Sequence, residues 1–255
     1  MRSNPVRERL LAGETVFGVM AFEFFTPGLP QIMSAAGAEY VIIDTEHSGS
    51  GIETVKQQMA YARGVDIVPM VRVPASNYHL IATVLDAGAM GIMVPLVETP
   101  EEARRIADAC RYRPEGRRGL AFGVAHDDYN TVDVADSLRQ ANERTLVIAL
   151  IESETGIANA DDILAVPGID VGWLGHYDLT DSLGIPGRFD DPRFTDAVER
   201  LVGACRKHSK AAGFMDADLD LVRSMMAKGF RAIGYGTDIA LIQAAYRDGL
   251  ARLRT

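Results

Sequence analysis

Eight short apolar runs punctuate this chain, and most are followed by a segment with helical periodicity. The runs cover residues 16–22, 40–44, 67–73, 91–97, 146–151, 171–174, 211–215 and 232–235. Each is short and nearly continuous in hydrophobicity, the pattern of a strand buried on both faces. Segments 51–64, 76–87, 99–110, 192–208, 219–229 and 238–253 carry apolar residues three and four apart, as amphipathic helices do. Ser76, Thr99 and Asp238 are placed to cap three of them, and Gly37, Gly64, Gly88 and Gly229 to close others. Strand–helix repetition implies parallel strands with right-handed crossovers. Eight units in 255 residues predict one domain, 1–255, folded as a (β/α)8 TIM barrel, with an open doubly wound sheet as the structural rival.

Charge and cysteine content narrow the surroundings. A net charge of −9 disfavours nucleic acid and anionic membranes as partners. The two cysteines, Cys110 and Cys205, lie in helical segments and provide no disulfide framework, which fits a cytoplasmic protein. The residues around Arg7-Glu8-Arg9 contain no leader-like apolar stretch, and no apolar run reaches the roughly 18 residues of a membrane span.

In such a barrel, chemistry sits where strands end at their C-terminal face. The second run ends Asp44-Thr45-Glu46-His47, the third carries Arg72, the fifth leads to Glu152, and the sixth to Gly175-His176-Tyr177-Asp178. Ionised groups at the ends of buried strands are unfavourable unless paired or metal-bound. Glu152 and Asp178 terminate neighbouring strands, and two carboxylates with waters are a usual protein share for Mg²⁺ or Mn²⁺. The structural alternative is that one accepts hydrogen bonds from a loop while the other caps a helix. Arg72 offers a fork for a carbonyl or enolate oxygen, or else a structural salt bridge to Asp44 or Glu46. His47 is a candidate base oriented by a nearby acid, or a capping histidine.

The lysines limit the chemistry further. Lys56, Lys207 and Lys228 belong to helical segments, and Lys210 precedes a strand. None ends a strand at the expected catalytic face, which disfavours a Schiff base and favours an enolate stabilised by a metal. Weaker signals remain. Gly234-Tyr235-Gly236-Thr237-Asp238 suits either a phosphate cradle or a tight turn with a cap. His126, Asp127 and Asp128 fall in a long connection expected near the mouth, whereas Trp173 and Met90, Met93, Met225 and Met226 read as packing.

Short stretches in this order then carry a resemblance: Ile43-Asp44-Thr45-Glu46-His47, Val71-Arg72-Val73-Pro74, Leu85-Asp86-Ala87-Gly88-Ala89, Val94-Pro95, Arg118-Gly119, Leu150-Ile151-Glu152 and Asp178-Leu179-Thr180. Together they resemble the HpcH/HpaI aldolases, metal-dependent class II pyruvate aldolases on a barrel of the phosphoenolpyruvate/pyruvate type. The resemblance implies a lyase that forms or cleaves 4-hydroxy-2-ketoacids from a pyruvate or hydroxypyruvate enolate and an aldehyde. It implies Glu152 and Asp178 as ligands of a divalent ion, Mg²⁺ or Mn²⁺ first, with Co²⁺ or Zn²⁺ as further options. Arg72 would hold the keto oxygen, and His47 would be the base, acting through water and oriented by Asp86 or Asp44, with Asp86 favoured. Gly175, His176, Tyr177, Asp178 and Phe214 are expected to line the ketoacid pocket, with backbone N–H groups near Tyr177 and Asp178 receiving its carboxylate. A homo-trimer or homo-hexamer is implied, with the helix 238–253 exchanged between subunits.

Two departures from the pattern matter. Gly175-His176-Tyr177-Asp178 replaces a frequent Gly-Pro-x-Asp, which suggests that His176 or Tyr177 bonds an additional hydroxyl, as on hydroxypyruvate. The segment 119–130 lacks an arginine-rich pattern suited to a dicarboxylate-derived acceptor, which points to a shorter hydroxyaldehyde or sugar-derived one. The alternative functions are a citramalyl- or malyl-CoA-type lyase, to which the acidic balance is poorly suited, and a non-catalytic ketoacid-binding protein.

Overall fold

The computed structural model describes residues 1–130 and 133–254. Strands β1 (Val16–Ala21), β2 (Tyr40–Asp44), β3 (Val68–Arg72), β4 (Gly91–Val94), β5 (Leu146–Ile151), β6 (Val171–Leu174), β7 (Ala211–Asp216) and β8 (Phe230–Thr237) pair in parallel, each with the next. Pairing of β8 with β1 closes the barrel, which disposes of the open-sheet rival. The helices are α1 (Pro5–Leu11), α2 (Leu29–Ala35), α3 (Ile52–Tyr61), α4 (Tyr78–Asp86), α5 (Pro100–Cys110), α6 (Val134–Arg144), α7 (Glu154–Ala158), α8 (Ala160–Leu164), α9 (His176–Ser182), α10 (Pro192–Lys207), α11 (Leu219–Lys228) and α12 (Asp238–Leu253).

Successive strand residues face opposite sides, so each strand feeds two cores. Tyr40, Ile42, Val68, Met70, Ile148, Leu150 and Trp173 fill the barrel interior. Val41, Ile43, Val71, Ile92, Ala149, Leu174 and Phe214 pack against the helices. Interior space is made by glycine: a Cβ on Gly213 would lie 2.2 Å from the Trp173 ring, and one on Gly18 2.3 Å from Tyr40.

Helix α1 follows from a pattern that its charges conceal. Val6 and Leu10, four apart, are buried in the interior cluster, and the Asn4 amide donates to the carbonyls of Met90 and Arg144 at 2.9 Å. Thus α1 plugs the N-terminal end of the barrel. Thr99 and Glu102 form a reciprocal capping box on α5. Two expected caps move by one residue. Asn77, not Ser76, caps α4, and Thr237, not Asp238, caps α12. Beyond its first turn α12 leaves the barrel, and every residue from Ile242 to Arg254 is exposed. No helix among the described residues is long and apolar enough to cross a membrane.

Candidate active site

The alternation that builds the interior also aims the polar strand ends. Asp44 continues the inward set Tyr40–Ile42, Arg72 continues Val68–Met70, and Glu152 continues Ile148–Leu150. Three chemically demanding side chains therefore share the C-terminal mouth.

On the β2–β3 side, Asp44 and Arg72 are paired in register. Asp44 is 0% exposed, and its Oδ1 accepts from Arg72 Nε at 2.6 Å. Its Oδ2 accepts the His47 N–H at 2.8 Å, which wraps the turn after β2 around the carboxylate. Glu46 Oε2 lies 3.3 Å from Arg72 Nε. Burial raises the Glu46 pKa from its ordinary value, opposed by the Arg72 charge. The structural salt bridge foreseen for Arg72 is thus made, yet Arg72 Nη2 remains buried without a hydrogen-bond partner. Phe22, at the end of β1, covers the guanidinium with its ring centroid 5.4 Å from Cζ. The His47 side chain is 62% exposed, its Nε2 3.7 Å from Glu46 Oε2.

The β5–β6 side is built differently. Glu152 is 6% exposed, and its Oε1 accepts the Leu96 N–H at 2.8 Å. Leu96 holds a left-handed backbone, φ 52°, to present that N–H. The carboxylate rests on Gly175, where a Cβ would lie 2.4 Å from Oε2. Burial raises the Glu152 pKa to about 7, against the Leu96 hydrogen bond, and the negative charges of Asp178 and Glu46 add to the shift. Asp178 stands exposed in the first turn of α9.

This side carries features that fit a divalent ion: two carboxylates that repel one another, and a glycine cradle that keeps one of them in place. Among the described residues no three His, Cys, Asp or Glu side chains converge as a ligand set. Two carboxylates would leave the remaining positions of such an ion to water and substrate.

Other expected residues go elsewhere. Phe214 is 0% exposed in the outer core, 4.8 Å from the His176 ring, so it packs in the helix layer. His176 is turned outward with it: its ring packs on Phe214 and Phe189, and its Nε2 bonds Asp216 Oδ2 at 2.9 Å. Tyr177 is exposed and meets Phe189 edge-on. The chain therefore gives no support to a His176 or Tyr177 contact with a donor hydroxyl. Asp86 is the last residue of α4, where Arg118 Nη2 holds it at 2.6 Å, and the expected pairing with His47 is not made within the chain. His126 is buried, its ring bonded to the Ala121 carbonyl, while Arg144 Nη2 at the end of α6 donates to the His126 carbonyl. The turn 234–238 reads as β8 followed by a Thr237 cap, leaving no phosphate cradle to be argued.

Leu96 and Phe22 were not singled out by sequence as members of the site, nor Asp216 as the partner of His176. Asp216 had a visible signal, since it closes a strand as Asp44 does. Leu96 had none, because it contributes only its backbone.

The closed parallel barrel and the polar residues gathered at its C-terminal mouth are those of a barrel enzyme. More narrowly, the chain belongs to the HpcH/HpaI aldolase/citrate lyase family, whose model matches residues 21–245, and it is an enzyme of the lyase class. A hydroxypyruvate/pyruvate aldolase from Roseobacter denitrificans is 33% identical over 94% of this chain and 93% of its own. A 2-keto-3-deoxy-L-rhamnonate aldolase from Escherichia coli is 31% identical over 99% of this chain and 94% of its own. The crystal structure of an HpcH/HpaI aldolase from Desulfitobacterium hafniense superposes with a TM-score of 0.93, at 27% identity, over 98% of this chain and 96% of that one.

Proposed function

We propose that this protein is a divalent-metal-dependent aldolase that joins the enolate of pyruvate or hydroxypyruvate to a neutral aldehyde, or cleaves the resulting 4-hydroxy-2-ketoacid. The observation that carries this reading is the contrast between a buried Glu152 facing Asp178 and an Arg72 that keeps Nη2 free. Glu152 and Asp178 would hold the ion, Mg²⁺ or Mn²⁺ in the first instance, which supplies Lewis-acid charge to the ketoacid oxygens when bound. Arg72 Nη2 donates to the keto oxygen as negative charge accumulates there, anchored from behind by Asp44 and Glu46. His47 removes the proton from the carbon next to the carbonyl, through a water. That carbon then bonds the aldehyde carbon, and the new alkoxide takes the proton back. No lysine is required, and the four present belong to α3, the ends of α10 and α11, and the turn before β7.

Donor preference rests on the relatives named hydroxypyruvate/pyruvate aldolase. A neutral acceptor fits the mouth, where Arg72 is engaged and Glu46, Glu152 and Asp178 are acidic. The free, buried cysteines suit a cytoplasmic setting. The exposed apolar residues Ile242, Tyr246, Leu250 and Leu253 on one side of α12 favour its exchange with a neighbouring subunit in a trimer or hexamer.

The test is proton exchange. Metal-stripped protein is incubated with pyruvate in D₂O, before and after adding Mn²⁺ or Mg²⁺, and loss of the methyl signal is followed. Exchange should require the metal and should disappear in Glu152→Ala and His47→Ala. Exchange indifferent to chelator would overturn the metal assignment, and silence with both pyruvate and hydroxypyruvate would overturn the enolate reading.

A further inference from the structure

Four backbone N–H groups converge on one buried carboxylate at the seam of the barrel. Asp238, the first residue of α12, is 5% exposed. Its Oδ1 accepts from Phe22 N at 2.9 Å, and its Oδ2 from Glu23 N at 3.0 Å and Phe24 N at 2.8 Å. Ile239 N adds a fourth bond, at 2.9 Å to Oδ1. A helix cap does not account for this, because Thr237 Oγ1 already takes the Ala240 N–H. Three of the four donors are consecutive residues of the loop after β1, more than 200 positions away in sequence. They follow a strand whose register with β8 slips upstream, between Gly18 and Met20, and they lie beyond its last ladder pair, Met20 with Thr237, so ladder pairing does not fix the loop.

The clamp decides where Phe22 goes. The Phe22 ring lies against the interior cluster, over the Arg72 guanidinium. Arg72 makes its one side-chain hydrogen bond through Nε, to Asp44, with Glu46 3.3 Å from the same atom, so the Phe22 ring adds a second restraint on the guanidinium plane. An aromatic face restricts the guanidinium plane, keeps water off it and favours its charge. Nη2 of the same guanidinium stays buried without a hydrogen-bond partner.

We infer that Asp238 and Phe22 are positioning residues for Arg72: the Asp238 carboxylate fixes the loop, the loop places the Phe22 ring, and the ring aims Nη2 at the developing enolate oxygen. This rests on the reading of Arg72 given above. It also makes the root of α12 part of the active-site scaffold.

The experiment uses the full-length Mn²⁺-loaded enzyme and measures kcat and KM for pyruvate deuterium exchange, Mn²⁺ affinity by calorimetry, and the thermal midpoint. Phe22→Leu, which leaves the clamp intact, should lower kcat about tenfold with KM and Mn²⁺ affinity unchanged, as expected when an interaction made in the transition state is lost. Phe22→Tyr keeps the ring and should restore most of the rate. Asp238→Asn offers one acceptor oxygen in place of two, so it should lower kcat in the same direction and add little in a Phe22→Leu background. A reduced thermal midpoint with kcat per folded molecule unchanged in both Phe22→Leu and Asp238→Asn would overturn the inference. Arg72→Met separates the two levels of the argument. If it leaves exchange intact, the reading of Arg72 fails; if it abolishes exchange while Phe22→Leu and Asp238→Asn keep full kcat, only the positioning inference fails.

Discussion

The two halves of the barrel mouth treat charge in opposite ways. On the β2–β3 half, Asp44 and Glu46 hold the Arg72 Nε, so buried charges meet an opposite charge within the chain. On the β5–β6 half, Glu152 makes no ion pair among the described residues, and burial, with the charges of Asp178 and Glu46, raises its pKa to about 7 against the Leu96 hydrogen bond and the Arg72 charge. A carboxylate buried without a cation is unfavourable, and on the function proposed above a divalent ion would supply the missing charge. The first half is finished by folding; the second, on that reading, by its ligand.

The largest effect that tests this contrast should come from the finished half. Arg72→Met leaves the fully buried Asp44 without its cation, and breaking a buried pair on one side typically destabilises by about 3–5 kcal/mol. Urea unfolding of the metal-free variant should show a loss of that size. Asp44→Asn combined with Arg72→Met should recover part of it, since no unpaired charge then remains. A loss under about 1 kcal/mol would mean that the backbone N–H groups of Glu46 and His47 satisfy Asp44 unaided, and that this half is no more internally paired than the other.

The open half predicts the opposite sign. Glu152 binds its proton more tightly in the folded protein than in the unfolded chain, because its pKa is raised from 4.5 to about 7. Stability of the metal-free protein therefore falls as pH rises from about 4.5 to about 7, and the penalty is complete above that range. A shift of this size corresponds to roughly 3 kcal/mol. Glu152→Gln removes the ionisation, so at pH 8 the metal-free variant should unfold at higher urea than wild type, with the advantage vanishing near pH 4. The same variant should lose metal-dependent exchange. A Glu152→Gln protein less stable than wild type at pH 8 would show that the ionised carboxylate is already compensated within the chain, and the comparison of the two halves would collapse.

How much of this could be read from sequence follows from what each residue contributes. Asp44, Arg72 and Glu152 were legible because a parallel strand buried on both faces is a continuous apolar run, so the polar residue that closes it stands out. Which face that residue adopts was not legible where packing decides. Phe214 and His176 lie near the same strand ends, yet both turn outward and stack in the helix layer, one of them held by Asp216. Asp238 was visible as a helix-start residue, but its partners sit at the other end of the chain, and local cap chemistry concealed them. Leu96 left no trace at all, since the site uses its N–H and its backbone angle rather than its side chain.

A subtler change tests whether the open half is held ready for its ligand or merely tolerates it. Gly175 is the floor on which Glu152 lies, and a methyl group there would stand 2.4 Å from Oε2. Gly175→Ala must push the carboxylate aside while leaving both acidic groups and the entire Arg72 cluster in place. Disturbing the support of a metal ligand typically weakens binding about 10–100-fold. Calorimetric titration with Mn²⁺ should show a loss in that range, and saturating Mn²⁺ should restore much of the exchange rate, because Arg72 and His47 are untouched. Unchanged Mn²⁺ affinity would mean that Glu152 reaches the ion from more than one position, so that the ion organises this half of the mouth. A full loss that no Mn²⁺ concentration repairs would mean that the glycine cradle fixes the only useful geometry, and that this half too is largely built before its ligand arrives.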